Sequence, residues 1–119
     1  MMESCVTFFP VSDIEATTGF YTDVIGLKLW KDMGRCRIFE CGGGYWGFCQ
    51  YDDGRKPALG VCPSINMTCT EDVDSKYINI KAMDVPVKQP PLKHKDFPVY
   101  SFFINDPDGY LVEFQKIVL

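Results

Sequence analysis

Glu113 is the residue in this sequence with the clearest potential for chemistry, because it lies in a β-rich segment between Val112 and Phe114. A carboxylate with apolar neighbours is costly to bury unless another group pairs with it. Such a group can bind a cationic ligand or act as a general base, which makes Glu113 the candidate catalytic residue. The structural alternative, a carboxylate hydrogen-bonded to neighbours or water, is equally consistent with the sequence.

Trp46, Phe48 and Gln50 are spaced two residues apart in a second β-rich segment. Alternate residues of a strand point to the same side of a sheet, so these three side chains share one face. The aromatic pair predicts either a stacking wall for a planar ligand or simple filling of a cavity, and we favour the wall.

Polar residues complete the candidate ligand-binding set. Asn66 and Thr68 alternate with Ser64 in a third segment, and Gln115 lies two residues beyond Glu113. Their parity predicts that Ser64, Asn66 and Thr68 point to the same side as the candidate acid.

Other reactive residues carry weaker signals. The only histidine, His94, lies between two lysines without a nearby catalytic partner, so we expect it to be exposed to solvent. The triple glycine at 42–44 lacks the Lys-Ser/Thr and the helix of a phosphate loop. The cysteines form no C-x-x-C pair, and we expect reduced thiols in the apolar segments. They are Cys5, Cys36, Cys41, Cys49, Cys62 and Cys69.

Length and composition limit the classes of function. The chain has 119 residues, of which 46% are hydrophobic and 24% charged, and its formal charge is −4. These values are typical of one globular domain, and the acidic balance argues against nucleic acid as a partner. No uncharged segment is long and apolar enough for a membrane span, and residues 1–4 lack a basic signal-peptide region. We therefore expect a cytoplasmic protein with no membrane partner.

The order of elements can be read from turns and periodicity. Ser12 and Glu15 suggest a capping box at the start of a helix, and Gly26 suggests its end. A β-rich run precedes this helix and three short strands follow it, which gives the order βαβββ. The residues 52–63, which contain two prolines and two glycines, are predicted to form a linker.

The pattern then repeats. The segment 11–16 is echoed at 70–75, and the segment 44–50 is echoed at 109–115. Because both echoes keep their order, they predict a duplicated βαβββ module. We expect a single α+β domain over residues 1–119, with module one at 1–51, the linker at 52–63 and module two at 64–119.

A duplicated βαβββ of this length resembles the vicinal oxygen chelate superfamily, which includes glyoxalase I, bleomycin resistance proteins and extradiol dioxygenases. The resemblance rests on the following residues: Val11-x-Asp13, Phe20-Tyr21, Val24-Ile25-Gly26-Leu27, Asp106-Pro107-Asp108-Gly109 and Glu113. It implies paired modules that form a curved, eight-stranded mixed sheet around a cavity, usually in a homodimer.

The resemblance also implies four metal-ligand positions, two in each module. The echoes place the last-strand positions at Phe48 and Glu113. The first-strand positions are Val6 and Ile65 in one register or Cys5 and Ser64 in another, and strand parity favours the second register. Neither register supplies a histidine, and Glu113 is the only residue that matches a family ligand. We therefore expect no metal cofactor.

The resulting hypothesis is a metal-free protein that sequesters a small molecule, cationic or aromatic, as bleomycin resistance proteins do. The alternative is a glyoxalase-like lyase or isomerase that uses Glu113 as metal ligand or general base.

Overall fold

A computed structural model describes residues 1–119. The chain divides into two compact units, Met1–Ala58 and Leu59–Leu119, with the boundary inside the predicted linker. Each unit contains four strands in one mixed sheet and one helical region, in the order βαβββ. The predicted α+β class built from paired βαβββ modules is therefore confirmed, with the eight strands distributed over two four-stranded sheets.

Module one contains four strands and one helix that continues as a π-helical segment. The helix begins at Asp13, whose carboxylate accepts the N–H groups of Glu15 at 3.0 Å and Ala16 at 3.2 Å. Asp13 is thus the N-cap, in place of the predicted Ser12–Glu15 capping box. The bounds are β1 Val6–Pro10, α1 Ile14–Gly19, the π-helical segment Phe20–Ile25, β2 Lys28–Asp32, β3 Cys36–Cys41 and β4 Gly44–Cys49.

The helical region of module one ends at Gly26, as predicted. This residue has a φ of 89°, a left-handed conformation that glycine adopts without steric cost. The sheet has the order β1-β4-β3-β2, in which β1 runs parallel to β4 and the other pairs are antiparallel.

Module two repeats this arrangement with the sheet order β5-β8-β7-β6. A tight turn joins its last two strands, where Asp106 Oδ1 accepts the N–H groups of Asp108 and Tyr110, both at 2.9 Å. Gly109 completes the turn with a φ of 92°. The bounds are β5 Ser64–Asn66, α2 Thr70–Ala82, β6 Leu92–Lys93, β7 Val99–Asn105 and β8 Leu111–Ile117.

In each module, one face of the sheet is buried and the other, here called the helix-free face, points away from the helix. The ring of Tyr21 stacks on Phe48 in module one, with centroids 4.2 Å apart. In module two, Phe102 stacks on Phe114 at 5.2 Å, and Tyr77 of α2 packs edge-on against Phe102. These aromatic contacts hold each helix against its own sheet.

Two further features bear on the sequence predictions. Cys36 and Cys49 lie directly opposite each other on β3 and β4, and a disulfide joins them, so the expectation of reduced thiols is wrong for this pair. Their spacing of 13 residues resembles no motif, because strand pairing alone brings them together. No helix has the length and apolar character needed to cross a membrane.

Candidate functional site

The two predicted aromatic wall residues belong to the core side of module one. Phe48 is 0% exposed, and Trp46 packs edge-on against Tyr21 with ring centroids 6.2 Å apart. Their shared face is therefore the one covered by the helix. This placement corrects the assignment of Phe48 to a ligand cavity, because a fully buried ring has no surface to offer a ligand.

Gln50 lies just after β4 and forms a hydrogen bond with the first turn of α1. Its side-chain oxygen accepts the N–H of Ile14 at 2.9 Å. This bond satisfies one of the N-terminal donors that a helix leaves unpaired, so it links the end of the last strand to the first turn of the helix.

The echo between the modules is out of register by one residue at the last strand. In module one, four residues, 41–44, separate the paired residues Glu40 and Tyr45. In module two, five residues, 106–110, separate the paired residues Asn105 and Leu111. The extra residue makes Gly47, and not Phe48, the counterpart of Glu113. A shift of one residue moves a side chain to the opposite face of a strand.

The first strands also require a correction. Phe8 pairs with Gly47, and Ser64 pairs with Glu113. The first-strand position in module one is therefore Phe8, and both Cys5 and Val6 are wrong, whereas Ser64 is confirmed as the partner of Glu113. The echo at 70–75 matches Asp72 to Asp13, the N-cap of the first helix. The N-cap of α2 is Cys69 instead, so the first-strand position inferred for module one was too early in the chain.

Phe8 covers the place where a side chain at position 47 would project. A Cβ atom built on Gly47 would lie 2.5 Å from Cδ1 and Cε1 of the Phe8 ring. The helix-free face of module one therefore has an aromatic ring at the position where module two has a carboxylate.

Glu113 lies on the helix-free face of module two and is partly exposed. Its Oε1 accepts the hydroxyl of Ser64 at 2.9 Å, and Phe103 pairs with it on the neighbouring strand β7. Burial raises the pKa of the Cys62 thiol, and the negative charge of Glu113 raises it further by a smaller amount. The Glu113 carboxylate therefore accepts one hydrogen bond from Ser64 and remains partly accessible to solvent.

The predicted polar ligands divide into two groups. Asn66 and Gln115 pair across β5 and β8, next to Glu113, and Asn66 Oδ1 accepts the N–H of Ile117 at 3.2 Å. Thr68 lies beyond the end of β5, in the bend before α2. The structure thus brings together Ser64, Asn66, Glu113 and Gln115 but not Thr68.

Module two also contains a cavity of about 370 Å³ that the sequence analysis missed. It lies against the outer part of the sheet and is bounded by the connection between α2 and β6. His94, which was expected to be exposed to solvent, is half-buried and lines it. Its lining includes Pro86, Lys88, Gln89, Pro90, Leu92, His94, Ser101, Phe103, Asn105 and Leu111.

The cavity was missed because no motif marks it. Its lining comes from one connection and three strands, and most of these residues are apolar or uncharged. The only signal was the run of prolines at 86, 90 and 91, which keeps that connection extended instead of helical.

The family model of the Glyoxalase/Bleomycin resistance protein/Dioxygenase superfamily matches residues 5–114. The chain belongs to this superfamily. No curated protein matches it.

Solved structures support the same fold at low sequence identity. A lactoylglutathione lyase from Agrobacterium tumefaciens is 24% identical, with a TM-score of 0.72, over 96% of this chain and 92% of that one. A glyoxalase/bleomycin resistance protein/dioxygenase from Nocardioides is 18% identical, with a TM-score of 0.77, over 99% and 85%. TioX from Micromonospora sp. ML1 is 17% identical, with a TM-score of 0.75, over 98% and 99%.

The metal site that the superfamily implies does not fit the residues of this chain. Phe8 and Gly47 occupy the two positions in module one and provide no ligand atom in their side chains. Module two offers only a hydroxyl and a carboxylate, from Ser64 and Glu113. No three His, Cys, Asp or Glu side chains form a group that could hold a metal ion.

Proposed function

We propose that this protein binds a small molecule without a metal ion and that the cavity of module two is the binding site. The observation that supports this most strongly is the cavity of about 370 Å³ with an apolar lining and a few polar groups. That size and composition are typical of small-molecule sites. Superfamily membership over residues 5–114 is consistent with a ligand-binding role.

The proposal that no metal participates follows from the ligand positions. Two of the four have no donor atom, and a hydroxyl is a poor ligand for a transition metal. Glu113, Ser64 and Gln115 then form a polar strip on the helix-free face beside the cavity, where they would contact the part of a ligand that extends beyond the cavity.

The test is a matched pair of tryptophan substitutions on β8. Leu111 lines the cavity and is 39% exposed, whereas Ile117 is 42% exposed on the same strand and outside the lining. Chelator-treated protein is titrated with a small-molecule fragment library by NMR. We expect hits that Leu111→Trp abolishes and Ile117→Trp preserves. Equal loss in both variants, or no hit at all, would contradict the proposal.

The alternative function is a lyase or isomerase in which Glu113 acts as base or metal ligand. It is favoured by the partly exposed carboxylate that Ser64 holds by one hydrogen bond. Turnover of lactoylglutathione and stoichiometric Zn²⁺, Ni²⁺ or Mn²⁺ binding, both lost in Glu113→Ala, would establish it. We expect neither, with metal binding no tighter than in the variant.

A homodimer is a further part of the proposal. The sheets leave edge strands such as β2, which carries exposed Leu29 and Trp30. Exposed sheet edges are usually covered by another chain or element. Light scattering across a micromolar dilution series should give the dimer mass, and a constant monomer mass would contradict this part.

A further inference from the structure

The cavity of module two has one permanently charged residue in its lining, Lys88, and no Asp or Glu. Its lining also includes His94. Glu113 lies on the same sheet and outside this lining. A cationic ligand would therefore find no counter-charge in the cavity, whereas an anionic ligand would find Lys88. This lining does not favour the cationic ligand that was expected from Glu113, because the carboxylate lies outside it.

His94 is held in one orientation by its own loop. Its Nδ1 accepts the N–H groups of Asp96 at 3.0 Å and Phe97 at 3.1 Å, and its ring lies 5.1 Å from that of Phe97. A ring nitrogen that accepts hydrogen bonds carries no proton, so the proton of the neutral imidazole is on Nε2. His94, which lines the cavity, therefore has its ring N–H donor on the nitrogen that its own loop does not use.

The remaining lining is mostly apolar. Leu92, Phe103 and Leu111 come from three neighbouring strands, and Pro86 and Pro90 come from the connection. Phe103 is 36% exposed, so its ring offers free surface to a planar group. Such a lining suits a ligand with an apolar body, and the donors at Lys88 and His94 suit an acceptor group at its end.

We infer that the cavity takes an anionic ligand with an apolar or aromatic body, such as an aryl carboxylate, with its anionic group bound by Lys88 and by Nε2–H of His94. The inference rests on the proposed function and specifies its ligand class. Hydrogen bonds between an ionised acceptor and these donors are stronger than those between neutral groups.

Three probes that share one naphthalene ring and differ in the charge of the attached group test the charge preference. Calorimetric titrations at pH 8 compare 2-naphthoate, 2-naphthylmethanol and 2-naphthylmethylammonium. We expect naphthoate to bind about tenfold or more tightly than the alcohol, and the ammonium to bind weakest, because a hydrogen-bonded charge pair is stronger than a neutral contact. Equal binding of naphthoate and alcohol would overturn this inference and leave the proposed function standing. Failure of all three probes would overturn both.

Variants of the two donors localise the effect. Lys88→Met should lower the affinity for naphthoate about tenfold and leave the affinity for the alcohol unchanged. The control is Lys95→Met, which replaces an exposed lysine outside the lining and should change neither affinity. His94→Asn keeps an acceptor for the turn at 96–97 and removes the ring donor. It should weaken naphthoate more than the alcohol. Unchanged naphthoate affinity in both donor variants would contradict the assignment.

The histidine can also be observed directly, because His94 is the only one in the chain. Long-range ¹H–¹⁵N spectra of protein labelled at histidine should show an unprotonated Nδ1 and a protonated Nε2 in the free state. Addition of naphthoate should shift Nε2 far more than Nδ1. A proton on Nδ1 in the free protein, or no change at Nε2 at saturation, would overturn the role of His94.

Discussion

Phe8 in module one and Ser64 in module two occupy the same position in their respective sheets, and their partners on the last strand are Gly47 and Glu113. The backbone arrangement is shared, but the side chains have opposite chemistry. In module one an aromatic ring lies over a glycine, and in module two a hydroxyl bonds a carboxylate at 2.9 Å. One fold therefore holds a half-exposed aromatic ring over a glycine in one half and a polar pair beside a cavity in the other.

The comparison shows that equivalent backbone positions can hold either polar side chains or an aromatic ring over a glycine. Gly47 has no side chain, and the Phe8 ring occupies the space that one would need. The two residues depend on each other, because the ring and a larger residue at 47 cannot occupy the same volume. In module two, Ser64 and Glu113 occupy the corresponding positions, and a cavity of about 370 Å³ lies beside them.

The largest expected effect concerns the core of module one. Phe48→Ala should lower the free energy of unfolding by about 3–5 kcal/mol, since it removes a fully buried ring that stacks on Tyr21. Urea unfolding measures this change. The control is Phe103→Ala on the helix-free face of module two, which should cost less stability and weaken binding of a naphthalene probe. If Phe48→Ala kept its stability and bound the probe more weakly, Phe48 would line the ligand site and its assignment to the core would be wrong.

A smaller effect is expected where Phe8 covers Gly47. In Gly47→Ala the new methyl group would lie 2.5 Å from the ring, so the ring must move, at a cost of about 1–3 kcal/mol in unfolding free energy. The additional change Phe8→Ala should relieve the clash, so the double variant should be less destabilised than the sum of the two single variants. Strict additivity would show that the ring and the glycine are independent.

The corresponding pair in module two should tolerate change better. Ser64→Ala removes one hydrogen bond between partly exposed groups and should lower the unfolding free energy by less than about 1 kcal/mol. A loss as large as that of Gly47→Ala would mean that Ser64 and Glu113 are structural in the same way as Phe8 and Gly47.

The smallest effect appears only in alkali. The hydroxyl of Tyr100 donates to Asp74 of α2, and this bond raises the pKa of Tyr100 to about 12. Because the ordinary tyrosine pKa is about 10, the resulting stability is complete below pH 10 and is lost as the pH rises towards 12. Tyr100→Phe should therefore be less sensitive than the parent to a change from pH 9 to pH 11 in urea unfolding. Identical pH dependence would exclude this contact as the cause.

The fold class and module order could be predicted from the echoes, the turns and the family resemblance, although β6 and the start of α2 were not located. Gly26 and the Asp106–Gly109 turn are examples in which the residue type follows directly from the backbone conformation. The faces of the last strands were harder, since they depend on one extra residue in the connection 106–110. Aligning Gly44 with Gly109 hides the extra residue. That alignment therefore assigned Phe48 to the wrong face of its strand.

The candidate site was only partly predictable. Strand parity correctly placed Ser64 on the same face as Glu113, because alternation is regular over a short strand. The cavity depends on how the connection 84–91 lies across β6 and β7, which is a matter of tertiary packing and leaves no periodic pattern. The half-burial of His94 was not predictable for the same reason, because the residue lines this cavity.

We expect module two to bind the ligand and module one not to bind it. NMR titration of ¹⁵N-labelled protein with the tightest-binding naphthalene probe tests it most directly. We predict that the largest amide shifts lie in Leu92, Ser101, Phe103 and Leu111, with much smaller shifts at Phe8, Gly47 and Phe48. Saturable shifts centred on Phe8 and Gly47, with none at Phe103, would contradict the claim.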